Sequence, residues 1–388
     1  MVLRELVWAM DDGFGDDKGF DGEETLLVPN YIKPVGRIYT DDETSDISPD
    51  ERIIAEVHEK IKQPRIKFED AEGEFPADQY RTEKYIVGIG ALEKEKGSDW
   101  NGSLEFKHMD VDFKPYLSTC LCLMAERYPE EIEVDLLVMG LPVDEHEKGD
   151  RKTFLKSLAV GTHHVTITKG NEEPFTRIVH VKDVLIYKQP MGTVYFYVFD
   201  DMGKFKKDSI AEDFNVVSDI GARTHNVYAC KEMRKEDDYL GSSESGIYSA
   251  YEFVRDQLAN MDIKVTVAQL VARLETKEIN GYDFAPLLDK AYQRLASTII
   301  KELTTKIQQS KDTINRIIFT GGGSEVLKEY LLPLAKAVFK KQEIIWGDRF
   351  TTVKGYRNAG VRAILNKKKS PRQITAVGAK ITNKRDEV

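Results

Sequence analysis

The hydrophobic positions of this chain change period several times, and each change marks an element. Residues 5 to 10 form a short apolar run that stops at Asp11-Asp12-Gly13-Phe14-Gly15. A second apolar stretch, Leu26 to Ile32, follows a turn-rich acidic segment, so the opening reads as strand, tight turn, strand. Between Asp112 and Tyr128, Phe113, Tyr116, Leu117, Cys120, Leu121 and Met124 recur in steps of three and four, which predicts a core helix. Val134 to Pro142 then runs apolar up to Gly140 and Pro142, as one strand covered on both faces would. Strand after helix argues for an α/β chain.

Further strands are expected at His164–Thr168, Arg177–Tyr187, Asn215–Ile220 and Thr224–Cys230, the last two repeating the opening strand-turn-strand design. Helices are expected at Ile247–Leu258, Val267–Leu274 and Phe284–Gln309. The long one carries an apolar face of Leu288, Ala291, Tyr292, Leu295, Ile299 and Leu303 suited to covering a second sheet. Arg316–Thr320 enters Gly321-Gly322-Gly323-Ser324, and a helix from Val326 to Phe339 follows: strand, glycine turn, helix. After a last helix at Gly355–Leu365, the Lys-rich stretch from Asn366 lacks periodicity and reads as a disordered tail.

A length of 388 residues exceeds what one hydrophobic core normally serves, so two domains or one large α/β unit with a deep cleft is expected. With 41% hydrophobic and 31% charged residues the composition is that of an ordinary globular protein. The net charge of -10 repels nucleic acid and favours basic partners, so direct DNA contact is not expected. Cys120, Cys122 and Cys230 have no zinc or redox spacing and read as buried thiols of a reducing compartment. The N-terminus lacks a signal-peptide pattern and no run approaches a membrane span, so a cytoplasmic protein with no membrane partner is expected. The acidic residues 40–51 and the mixed residues 63–79 read as a loop-rich surface tip.

The candidate chemistry lies in the turns. Asp11 with Gly13 and Gly15, and Asp219 with Gly221, each end a strand. Glycine there lets backbone N–H groups approach phosphate oxygens, and the aspartates can hold the water shell of Mg²⁺. Lys18 adds a point charge. His163 and His164, adjacent in a strand, point to opposite faces and are not expected to share a metal. Ser242 to Ser245 precede a helix and read first as its cap, second as a face toward a nucleotide sugar.

In order and spacing, Met10–Lys18, Tyr85–Leu92, Val138–Val143, Val217–Thr224, Phe319–Ser324 and Tyr356–Gly360 resemble the actin, Hsp70 and sugar-kinase superfamily. Within it, they are most similar to bacterial actin-like ATPases of the plasmid-segregation, or ParM, type. The resemblance spans nearly the whole chain. It implies an actin-like α/β fold, two related RNase H-like domains around a nucleotide cleft. The first would be residues 1–188, with a small subdomain at about 33–108. The second would be 189–365, its last helix packing back toward the first, and a basic tail would follow at 366–388. ATP or GTP with Mg²⁺ would lie in the cleft. Asp11 and Asp219 would hold the metal's waters, and Gln189 would orient the attacking water. Gly13, Phe14, Gly15, Lys18, Gly221, Ala222 and Thr224 would cradle phosphates, and Gly321, Gly322, Gly323 and Ser324 would form the adenosine-side turn. Ala222 stands where the family usually has a second glycine, and Asp12 where many relatives have an apolar residue.

By the same resemblance the chain would be a nucleotide-driven filament protein, its partners other copies of itself and a basic, DNA-bound adaptor of a plasmid partition system, with no direct nucleic-acid contact. The small subdomain would touch the next subunit. The rival readings are a chromosomal actin-like cytoskeletal protein, a small-molecule kinase or phosphatase of the same superfamily, and a nucleotide-binding scaffold without turnover.

Overall fold

The computed structural model describes residues 5–35, 52–60, 80–93 and 107–369. Its α/β architecture uses one plan twice. In the first half Val7–Asp12 and Asp16–Phe20 form an antiparallel hairpin with Thr25–Pro29 outside it, and Leu136–Leu141 and Val184–Lys188 extend the sheet in parallel. In the second half Phe214–Ile220 and His225–Lys231 form the hairpin with Arg234–Lys235 outside it, and Arg316–Thr320 and Glu343–Trp346 extend the sheet in parallel.

Each central strand is covered on both faces, and its alternate residues go to different helices. Trp8 and Met10 join the core around Phe113–Met124, while Val7 and Ala9 meet Val353, Tyr356 and Val361 of the C-terminal helix. In the second sheet Val216 and Ile220 pack with the helices Tyr248–Ala259 and Ala285–Ile307, whereas Val217 and Ile318 pack with Gln189–Val198. The helix Phe113–Met124 also faces a six-stranded sheet made of Ile32–Pro34, Tyr80–Val87, Ile53–Lys60, Gly161–Lys169, Phe175–Val181 and Glu131–Val134.

Several sequence expectations are corrected here. The apolar run from Val134 to Pro142 is not one strand. Asp135 interrupts it, its carboxylate taking the Leu6 N–H at 2.8 Å, so Glu131–Val134 belongs to one sheet and Leu136–Leu141 to another. The expected strand Arg177–Tyr187 breaks in the same way at Lys182-Asp183, where Lys182 N–H bonds to Val134 O and the Leu137 N–H bonds to Asp183 O. The helix expected over Val326–Phe339 is two, Gly322–Val326 and Lys328–Val338. The last helix runs from Thr351 to Lys369, so the tail does not begin at Asn366: Lys367 pairs with Asp183 at 3.5 Å and Lys368 with Glu5 at 2.5 Å. The rest of the expected tail, and residues 40–51 and 63–79, lie outside the described residues.

The three cysteines are buried and free. His163 and His164 do face opposite ways. His163 is enclosed between Ser118 and the Ala159 carbonyl, and burial pushes its pKa down to about 4, while His164 rests against His58. Among the described residues no helix is long and apolar enough to cross a membrane.

Gln189–Val198 and Thr351–Lys369 cross where Gly192 meets Gly355. A Cβ on Gly355 would lie 1.8 Å from the Gly192 carbonyl oxygen, so the crossing brings two backbones together. Tyr356, fully buried, reaches from this crossing to donate to the Gln189 carbonyl at 2.9 Å.

Candidate functional site

The two hairpin turns face each other across a cleft of about 770 Å³, a size usual for a small-molecule or cofactor site. Asp11, Gly13, Phe14, Gly15 and Lys18 line it from the first hairpin, and Asp219, Gly221, Ala222 and Thr224 from the second. Gly321, Gly322 and Gly323 come from the third turn, and Gln189 from the helix that leaves the first half. Ser324 is the exception among the expected residues. It is buried and its hydroxyl donates to Gly321 O at 2.9 Å, so it closes the glycine turn and does not reach the cleft.

Local backbone demands explain the glycines. Asn30 braces the first turn, its side-chain amide donating to Gly13 O at 2.7 Å and its N–H to Gly15 O at 2.8 Å. A Cβ on Gly15 would sit 2.7 Å from the Ala222 Cβ, so the two hairpins touch there. Ala222 fills the space that a second glycine would leave open. Gly321 has φ +90°, and a Cβ on it would come within 2.5 Å of Asp219 Oδ1, so both conformation and space require glycine.

The charges converge at the bottom of the cleft. Gln189 Nε2 donates to Asp11 Oδ1 at 3.1 Å, and Lys18 Nζ lies 3.6 Å from Asp11 Oδ2 and donates to Asp16 O at 3.3 Å. Asp11 and Lys18 are 5% and 8% exposed, so their attraction is little screened by solvent. Burial works against the Lys18 charge, but the carboxylates of Asp11, Asp16 and Asp219 outweigh it and raise its pKa. Burial, then the neighbouring Asp11 charge, pushes the Asp219 carboxyl up to about 6 despite Lys18. A pair of carboxylates whose repulsion one ammonium does not cancel fits a hydrated divalent cation, which would add the missing positive charge. Of the two acids beside Lys18, Asp16 lines the cleft and burial raises its pKa, whereas Asp17 turns into the core near Tyr116 and Cys120.

Ser242 to Ser245 do not cap the following helix, contrary to the first expectation. Ile247 occupies the cap position of Tyr248–Ala259 without a side-chain cap bond, Ser242 and Ser243 line the cleft, and Ser243 and Ser245 donate to Glu302.

Sequence reasoning missed other cleft residues. His108 Nε2 meets Asp12 Oδ2 at 2.6 Å with both side chains buried, a pairing across 96 positions that no local pattern signals. Arg349 lines the cleft with its Nε bonded to Glu325 Oε2 at 2.8 Å. Asn226 was within reach, because a tight hairpin places it opposite Asp219. Ile247, Tyr248, Tyr251, Val271, Leu274 and Val326 give the cleft an apolar end, near which the Tyr31 and Tyr248 hydroxyls join the two halves at 2.6 Å.

Comparison with known families decides which fold this is. Residues 9–192 match the family described as "Actin like proteins N terminal domain", and residues 217–332 match "Archaeal actin homologue MreB-like, C-terminal". Together they take in well over half of the chain. The chain has the actin-like fold. Its two halves are the two domains of the actin-like fold, and solved structures agree. The apo pSK41 ParM protein is 19% identical over 94% of this actin-like chain and 99% of its own, with a TM-score of 0.64. A ParM from a 15-stranded filament of Clostridium botulinum is 18% identical over 92% and 99%, with a TM-score of 0.65. The archaeal actin homologue Ta0583 in complex with ADP is 16% identical over 92% and 99%, with a TM-score of 0.60. No curated protein matches the chain.

Proposed function

We propose that this actin-like chain binds ATP or GTP with Mg²⁺ between its domains, hydrolyses it, and assembles into filaments that segregate plasmid DNA through a basic, DNA-bound adaptor. The observation that carries the reading is the convergence of Gln189, Asp11 and Lys18 opposite Asp219 in one cleft walled by three glycine turns. The domains would be 1–188 and 189–365. An archaeal homologue solved with ADP and a ParM solved as a filament support nucleotide binding and self-assembly. The net charge of -10 favours a basic adaptor over DNA itself, and three buried free thiols go with the reducing cytoplasm.

In this reading catalysis is positioning and charge neutralisation. Lys18 and the N–H groups of Gly13 to Gly15 and of Gly221 and Ala222 hold the β- and γ-phosphates, while Gly321 to Gly323 take the adenosine side. Asp11 and Asp219 hold the metal's waters; Mg²⁺, when bound, supplies charge that offsets that of the phosphates. The Gln189 amide, fixed by Asp11, orients the attacking water by hydrogen bonding, and basicity is not required of it.

The test is 90° light scattering of the purified protein after addition of ATP or GTP with Mg²⁺, with phosphate release followed in the same cuvette. A rise that requires nucleotide and decays with phosphate release is expected. Flat scattering over a wide protein range refutes the filament reading, and absence of phosphate release refutes hydrolysis. Plasmid loss on deletion of the gene, restored by the intact protein together with its adaptor, tests the cargo.

A further inference from the structure

Three strand positions of the second domain carry two kinds of residue back to back. The register sets Asp219, Asn226 and Ser242 side by side on neighbouring strands, and all three line the cleft. With about 4.8 Å between strands, this polar row reaches roughly 10 Å from the Asp219 strand. The alternate residues Ser218 and His225 lie behind it, and Ser243, which also borders the cleft, joins them through its hydroxyl. His225 Nε2 lies 2.9 Å from Ser218 Oγ and its Nδ1 2.9 Å from Glu302 Oε2; Ser243 donates to the same Glu302 oxygen at 2.8 Å and Ser245 to the other at 2.6 Å.

Glu302 belongs to the helix Ala285–Ile307 and does not line the cleft, yet it ties the strand that carries Asn226 to Gly241–Ser243 beside it. Ser218 and His225 are fully buried, so these two have no part in binding a ligand directly. Burial pushes the Glu302 carboxyl up, but the bonds from His225, Ser245 and Ser243 outweigh it and hold its pKa at about 2. Gly241–Ser243 is a three-residue edge strand, too short to hold its place by ladder bonds alone.

We propose that Glu302 is a positioning residue, which pins Gly241–Ser245 to the second hairpin and so fixes Asn226 and Ser242 beside Asp219 during phosphoryl transfer to water. This rests on the hydrolytic reading of the cleft. Glu302 and two of its three partners, His225 and Ser245, do not line the cleft, so loss of these bonds should disturb the geometry of reaction more than the binding of substrate.

The test uses the full chain as wild type, Glu302→Ala, Glu302→Gln and Ser245→Ala. Steady-state ATP hydrolysis gives kcat and KM, and amide hydrogen exchange of residues 225–227 and 241–245 is read in the nucleotide-free protein. Glu302→Ala is expected to lower kcat by about tenfold with KM within about twofold, and to speed exchange in both segments. Glu302→Gln keeps one acceptor oxygen and recovers part of kcat, and Ser245→Ala loses one bond and lowers kcat by about threefold. Unchanged exchange and unchanged kcat in Glu302→Ala overturn the proposal. So does a loss of kcat and affinity together, which would mark a merely structural carboxylate. If Glu302→Ala does not fold, an unaltered Ser245→Ala overturns it. A wild type that hydrolyses nothing refutes the hydrolytic reading and with it the positioning role, whereas failure of the variants alone leaves hydrolysis standing.

Discussion

Replacing Gly355 by alanine puts one methyl group where two helices have no room for it. The new Cβ would fall 1.8 Å from the Gly192 carbonyl oxygen and 2.7 Å from the Phe196 nitrogen, both backbone atoms of the crossing helix. No side-chain rotation relieves this, so the helices have to part by roughly 1.5 Å to reach ordinary contact. Overpacking of this kind costs at the upper end of about 1–3 kcal/mol, and the better helix propensity of alanine returns about 1 kcal/mol. A net loss of about 2 kcal/mol lowers Tm by roughly 4–8 °C for domains of this size. The effect on turnover should be larger than on stability. The same shift pulls Tyr356 from the Gln189 carbonyl and Gln189 from its 3.1 Å bond to Asp11, and a misplacement of about 1 Å costs roughly 100-fold in rate. Thermal denaturation and phosphate release at saturating ATP measure the two effects. Gly149→Ala is the control, since a Cβ there meets nothing within 4 Å. If Gly355→Ala matches the control in both Tm and kcat, the argument that this crossing sets the position of Gln189 is wrong.

Asp219→Asn should abolish hydrolysis while strengthening the empty protein. The carboxyl ionises at about 6 in the fold against 3.8 in an unperturbed chain, so its ionisation costs nothing below about pH 4 and the cost grows as pH rises through 6, to on the order of 3 kcal/mol. Urea denaturation should therefore show the variant more stable than wild type at pH 8 and equal to it at pH 4; the reverse order would remove the buried-charge explanation. Gly15→Ala should weaken nucleotide binding by forcing the hairpins apart at Ala222, and Ala222→Gly should rescue it. Additive effects of the two substitutions on nucleotide Kd would show that the hairpins do not touch in solution.

The fold was legible where local chemistry dictates it. The two Asp-X-Gly hairpins announce themselves by strand, turn and strand in close succession, the turn at Gly321 because its φ of +90° requires glycine, and the amphipathic face of Ala285–Ile307 follows from period alone. What escaped depends on partners remote in the chain. Asp135 ends a strand because Leu6 needs an acceptor 129 positions away, and Lys367 and Lys368 extend a helix because Asp183 and Glu5 meet them. Lysine-rich composition without its acids looks like a solvated tail. The pairs His108–Asp12 and His225–Glu302 were invisible for the same reason, and the hydroxyls of Ser243 and Ser245 resembled helix caps because their carboxylate lies on another helix.

The glycine crossing of Gln189–Val198 and Thr351–Lys369 is a junction, because the chain passes from the first half to the second along one helix and returns along the other. Gln189, held there by Tyr356, sits with Asp11 and Lys18 on one side of the crossing, whereas Asp219 and the turn at Gly321 lie on the other. The cleft is thus furnished from two sides of one crossing, and a single pair of glycines sets how closely those sides are held.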